Sequence, residues 1–276
     1  MDHLNLSKFC IRLGDHCLIM AHRQSELCSN GPFLEEDIAQ INLGLDLLGQ
    51  AEALLIYAAK LEGNTRTADD LAYRRSERQF HNFMLTEQPN TDFAFVIVRQ
   101  YFMSLYLLKT YQVLAEVEDD TLSGIALKAL KELSYHERHL SMWILRLGDG
   151  TDESQQRMQT AVNELWMFVG ELYEEDALDL LAQQASYAPK GEEMKSFLMA
   201  QITAKFAEAS LTIPDSIYMT TGSKQGIHTE YLGFYMDSKN TEYQSQLMRQ
   251  ALNYGFDREK MITYLRNGIG IPGNGG

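Results

Sequence analysis

The chain has 276 residues, 45% of them apolar and 10% aromatic, and 38 acids against 24 lysines and arginines give it a formal net charge of −14. A surface that acidic repels nucleic-acid backbone and anionic lipid and suits a protein partner with basic patches, while an anionic ligand would need a local basic spot. No apolar run reaches the roughly 18 residues that cross a bilayer, and no charged-then-apolar signal opens the chain, so a soluble, cytoplasmic protein is expected.

No stretch alternates with period two over several residues, and the prolines fall between long periodic runs, so the chain reads as almost wholly helical. A first helix is predicted from about Leu6 to Leu27, ended by Ser29-Asn30-Gly31-Pro32. Cys10, Cys17 and Cys28 all lie in this run. An odd count without a C-x-x-C pair argues against a disulfide framework and a zinc site, and reduced, packed thiols are expected. A second helix runs from about Leu34 to Leu61, with Glu35-Glu36-Asp37 at the positive end of its dipole. Apolar residues on nearly every side predict that it is surrounded. The stretch Thr67 to Leu85 is charged and is expected to form short, mostly exposed pieces across the bundle. After Glu87-Gln88-Pro89-Asn90 a third long helix, about Asp92 to Val117, opens on a continuous apolar run and is the second helix expected to be surrounded.

The fourth long helix, about Thr121 to Leu147, carries Leu122, Ala126, Ala129, Leu133, Leu140, Trp143 and Leu147 in one helical stripe, and the remaining slot holds His136. Gly148-Asp149-Gly150-Thr151 breaks it. Shorter helices are predicted at about Asp152 to Leu172, Glu174 to Gln184 and Glu192 to Ala209, then a loop from Thr212 to Thr229, two last pieces near Thr241 to Leu252 and Arg258 to Leu265, and a frayed glycine-rich end from Gly268. Four long helices in two adjacent pairs, joined by a long charged crossover, predict an all-α, ferritin-type four-helix bundle. A single domain is expected over 1–276, with a core bundle at about 6–147 and additional C-terminal helices at about 152–267.

Bundles of this topology often hold two metal ions, with a Glu-x-x-His pair on each of two helices and one carboxylate from each of the others. Here the corresponding slots hold Leu47 and Gln50 on the second helix and Leu133 and His136 on the fourth. Leucine cannot ligate and a neutral glutamine is a poor ligand for a hard cation. His136 is therefore read as a core histidine bonded to Gln50 or a hydroxyl, and Glu132 as a solvated or partner-facing residue about 100° off the stripe. Glu77 and His81 are read as surface groups. The competing reading is a metalloenzyme with a non-standard site around Glu132, His136 and His139. No nucleophile elbow, P-loop or dinucleotide fingerprint is present.

Several segments carry a resemblance. Arg12-Leu13-Gly14-Asp15, Asp46-Leu47-Leu48-Gly49-Gln50-Ala51, Glu87-Gln88-Pro89-Asn90, Lys128-Ala129-Leu130-Lys131-Glu132 with Tyr135-His136, Arg146-Leu147-Gly148-Asp149-Gly150-Thr151 and Gly226-Ile227-His228-Thr229-Glu230-Tyr231-Leu232-Gly233 resemble, in order, the C subunits of phenylacetyl-CoA 1,2-epoxidases, multicomponent oxygenases of aerobic phenylacetate breakdown. The resemblance implies a ferritin-like subunit that binds no cofactor itself, with Leu47, Gln50, Leu133 and His136 as the degenerate ligand positions. It implies as partners a catalytic A subunit holding di-iron and binding the CoA thioester, a small B subunit, and an NADPH-dependent reductase with flavin and an iron–sulfur centre. Lys224, His228 and Glu230, in the loop after Gly222, are the candidate contacts to a partner or a CoA phosphate. The chain departs from the family pattern after about Tyr235, and His139 is not part of that pattern.

Overall fold

The computed structural model describes residues 1–215, 219–222 and 224. His228, Glu230, the two last helical pieces and the glycine-rich end lie outside the described residues. Among the described residues the chain is helical without strands: α1 (His3–Ser25), α2 (Leu34–Glu62), α3 (Ala68–Tyr73), α4 (Met84–Glu87), α5 (Phe93–Leu114), α6 (Asp120–Gly148), α7 (Asp152–Leu165), α8 (Ala177–Gln184) and α9 (Gly191–Glu208). The helix expected at 152–172 is α7 running on into a tighter 3-10 turn, Trp166–Leu172.

Local chemistry sets the ends. The carboxylates of Asp2, Asp92, Asp119 and Asp176 accept backbone N–H groups at the starts of α1, α5, α6 and α8. Gly63 closes α2 in the left-handed region, at φ 64°, where a side chain would be strained. α1 and α2 form an antiparallel hairpin that approaches closely at two glycines. A Cβ on Gly14 would meet Leu55 at 3.1 Å, and one on Gly44 would meet Gln24 at 2.9 Å. α5 and α6 form the second hairpin, and α2 lies against α6 to close the four-helix bundle.

Burial differs from the sequence expectation on α2. Leu43, Leu47, Leu54 and Leu55 face the core, but Ile38, Leu45 and Ile56 are exposed. The helix is apolar all round without being surrounded. α1 and α5 are the enclosed helices, buried along nearly their full lengths. On α6 the buried stripe follows Leu133, His136 and Leu140 and then moves to Ile144 and Gly148, leaving Trp143 and Leu147 half-buried. At 3.6 residues per turn a face drifts off a strict seven-residue repeat.

The crossover between α2 and α5 is also more buried than its charge suggests. Arg75 is 5% exposed, stacks on the Phe80 ring at 4.0 Å and forms a two-pronged ion pair with Asp15 of α1. One of its contacts to Asp15 measures 2.9 Å, and the His81 N–H donates to the same carboxylate at 2.9 Å. Phe83 stacks on His16 of α1, ring centroids 3.9 Å apart. The segment Glu87-Gln88-Pro89-Asn90 is a clamp. Arg23 of α1 donates to the Glu87 carbonyl, Asn90 donates to the Arg23 carbonyl at 2.8 Å, and Arg99 of α5 donates to the Gln88 carbonyl and the Asn90 side chain.

Candidate functional site

Leu47 on α2 and Leu133 on α6, at the positions where the sequence comparison with metal-binding bundles asks for carboxylates, are both buried, 4% and 0% exposed. The polar residues around them pair off across the two helices. His136 Nε2 lies 3.0 Å from Asp46 Oδ2. A carboxylate only accepts, so the ring proton sits on Nε2. One turn along, Gln50 Nε2 donates to Glu132 Oε2 at 2.9 Å. Four residues forward on α2 match four back on α6, so both pairs keep a single antiparallel register.

Two sequence expectations change here. The partner of His136 is Asp46, not Gln50 or a hydroxyl. Glu132 is not simply solvated: its side chain is 18% exposed, bound to Gln50 and 3.6 Å from Lys128 Nζ. From the far side, Cys17 of α1 lies 3.9 Å from Gln50 Oε1 and 3.9 Å from the Tyr111 hydroxyl of α5. Burial pushes the Cys17 thiol up to about 12, with the Glu132 charge adding to the effect. A protonated, enclosed thiol is neither a nucleophile nor a ready metal ligand.

The residues of the competing metalloenzyme reading have separate partners. Glu132 holds Gln50, His136 holds Asp46, and His139 Nε2 lies 2.9 Å from Glu36 Oε1. Glu36 also accepts from Trp143 Nε1 at 2.8 Å and from Gln40, which in turn accepts from Gln100 of α5 at 2.8 Å. Among the described residues no three His, Cys, Asp or Glu side chains come together to hold a metal ion. The donor set present does not fit a di-iron centre.

Asp46, Glu36, Cys17 and Tyr111 do not stand out as site residues in the sequence. The register linking Asp46 to His136 is the signal that could have found the first of them. Glu36 reads there only as part of an acidic first turn.

Lys224 takes part in a buried charge cluster with Asp179 of α8 and Arg12 of α1. Lys224 is 5% exposed, and its Nζ donates to the Glu174 carbonyl at 2.7 Å and to the Asp179 carboxylate. Arg12 of α1 donates to the same carboxylate and to Asp176 at 2.7 Å. Burial would raise Asp176, but the Arg12 guanidinium and the Asp179 N–H outweigh it and hold the carboxyl well below its ordinary value. Burial lowers Lys224, and the Asp179 charge opposes that. Lys224 is thus enclosed and ion-paired, where the sequence suggested a flexible, open basic spot. Nearby, Glu171 accepts N–H groups from Met84, Gly222 and Lys224, while burial raises its carboxyl above the usual range.

No described helix is long and apolar enough to cross a membrane. The phenylacetic acid catabolic protein family matches residues 2–256. The C subunit of the 1,2-phenylacetyl-CoA epoxidase of Escherichia coli K12 is 43% identical over 228 residues, 83% of this chain and 92% of that protein. A helical chain matched over most of its length in this way belongs to the phenylacetic acid catabolic protein family.

Proposed function

We propose that this chain is the non-catalytic, structural subunit of a phenylacetyl-CoA 1,2-epoxidase, pairing with and supporting a di-iron catalytic A subunit in the cytoplasm. The observation that carries this reading is the burial of Leu47 and Leu133 at the positions where metal-binding bundles place carboxylates, with Asp46 paired to His136 and Gln50 to Glu132 beside them. Such pairing favours a fixed bundle, since the buried His136 and Gln50 each bond a partly exposed carboxylate on the facing helix. The chain's contribution then lies in its surface, with a small B subunit and a reductase completing the complex.

Co-expression with and without the A subunit tests this. The chain alone is expected to carry no stoichiometric iron and to show no turnover, and iron in the complex should track the A subunit. Two irons per chain in the isolated protein would overturn the proposal.

A further inference from the structure

Residues 219–222 and 224 lie against the 3-10 turn Trp166–Leu172, α4 and α8, held by backbone bonds and by two methionine–glycine contacts. The Thr220 N–H donates to the Met167 carbonyl at 2.7 Å. The Gly222 and Lys224 N–H groups donate to Glu171 Oε1 at 3.0 and 3.2 Å. Met219 lies over Gly170, where an added Cβ would be 2.7 Å from Met219 Cγ and 3.2 Å from its Sδ. Met84 of α4 lies over Gly222 in the same way, 2.9 Å from Cγ to an added Cβ. Each thioether chain thus fills the space that a side chain on the facing glycine would take.

The two methionines differ in access. Met84 is 8% exposed, and Met20, Met103, Met158 and Met194 are enclosed still further. Met219 is half-buried, so a small solute reaches it more readily. Met142 is open, at 43% exposed, but stands on α6, away from this contact. Departure of residues 219–222 and 224 would strand neither buried carboxylate. Glu171 keeps the Met84 N–H at 2.8 Å, and Asp179 keeps the Arg12 guanidinium. A contact whose acceptors keep a donor in both arrangements can have two states.

We infer that Met219 is an oxidation site, and that its conversion to the sulfoxide by a peroxide unseats residues 219–222 and 224 from Gly170 and Glu171. A lone pair on Sδ attacks one oxygen of hydrogen peroxide and the O–O bond breaks. The transferred oxygen stays on sulfur, and the other leaves as water with both protons. The thioether loses two electrons and the peroxide gains them. A thioether is a weak acceptor and suits an apolar seat, but a sulfoxide is polar and larger. The N–H groups of Thr220, Gly222 and Lys224 are already given to Met167 and Glu171, so the new oxygen finds no donor among them. Keeping it buried carries the cost of an unpaired polar group, and leaving the seat restores it to water. This device goes beyond the function proposed above and does not depend on it.

The test exposes the full-length chain to graded hydrogen peroxide. Peptide mass mapping locates the added oxygen, and hydrogen exchange follows the amides of Thr220, Gly222 and Lys224. These amides should exchange at least about tenfold faster once Met219 is oxidised, with circular dichroism unchanged. The fast-exchanging fraction should equal the oxidised fraction of Met219 and not that of Met84. Methionine sulfoxide reductases should restore slow exchange. Met219→Leu keeps an apolar chain of similar volume and should hold the amides slow through the same treatment, while Met142→Leu should respond as wild type does. Equal acceleration in Met219→Leu overturns the inference. So does a Met219 that stays reduced while Met142 is oxidised, or an oxidised Met219 with unchanged exchange. If Met219→Leu exchanges fast before any peroxide, the wild-type chain decides: fast exchange that persists after Met219 is reduced again overturns the inference, and recovery in step with that reduction supports it.

Discussion

His136 donates from Nε2 to Asp46 Oδ2 across 3.0 Å, joining α6 to α2 next to the buried Leu47 and Leu133. The histidine is almost fully enclosed and the aspartate is partly open to solvent. The ring thus has a structural task that needs no metal. His136→Ala should cost about 1–3 kcal/mol by leaving the helix pair without this bond and opening a small void. Asp46→Asn keeps an acceptor in place and should cost less than about 1 kcal/mol. Urea unfolding measures both. Neither substitution should change the iron content of the complex purified with the A subunit. A loss of iron from a stable His136→Ala complex would return the histidine to the chemistry.

Arg75 and Asp15 form the strongest tie between the crossover and α1. Both side chains are buried, and the guanidinium faces the carboxylate with two nitrogens. Removing one partner leaves the other charged and enclosed. Asp15→Ala should therefore cost about 3–5 kcal/mol in chemical denaturation. The double variant Asp15→Leu with Arg75→Met removes both charges and should lose less than the sum of the two single losses. Additive losses would show that the pair contributes little beyond its packing.

Arg75 also marks where local sequence patterns stop being informative. The long helices are legible because each spans many turns, and errors at its ends do not disturb its periodicity. The burial of Leu47, Gln50, Leu133 and His136 is legible for the same reason, since they sit at fixed helical offsets. In the crossover, charge suggests exposure and misleads. Arg75 is buried only because Asp15, sixty residues earlier, waits on α1, and a local window does not contain that pairing. On α2, apolarity suggests enclosure and misleads for the complementary reason. Ile38, Leu45 and Ile56 look like core residues by composition, but only the packing shows them on the outside.

His22 gives the protein an acid-sensitive core. Burial, and then the neighbouring Arg23 charge, lower it to about 4 from an ordinary value of 6.5. Burial also holds His16 well below its ordinary value. A depressed histidine is neutral in the fold and charged in the unfolded chain, so the unfolded state binds more protons below pH 6.5. Its contribution is present above that pH and is lost as pH falls from 6.5 towards about 4. For His22 alone the loss between pH 7 and pH 5 should be about 2 kcal/mol. His22→Gln, whatever its stability at pH 7, should show a pH dependence shallower by about that amount over the same interval. An identical slope would mean that His22 binds protons equally in the folded and unfolded chain, so that burial does not depress it.

Lys224 reaches inward to Asp179 and the Glu174 carbonyl, where Arg12 already contributes a second cation to the same carboxylate. The lysine ties its own position to α8 and to the Glu174 carbonyl, and two of its three ammonium donors are used there. Lys224→Met should keep the packing of the stem while leaving the Glu174 carbonyl without its donor and Asp179 with Arg12 alone. A loss of about 1–3 kcal/mol in stability is expected. If the lysine's task is this internal pairing, the affinity of the assembled complex for a CoA thioester should stay within about twofold of wild type. Calorimetric titration of the complex decides this directly. A tenfold loss of thioester affinity without a loss of stability would place Lys224 at the ligand. Unchanged affinity with reduced stability makes it an internal clasp to α8.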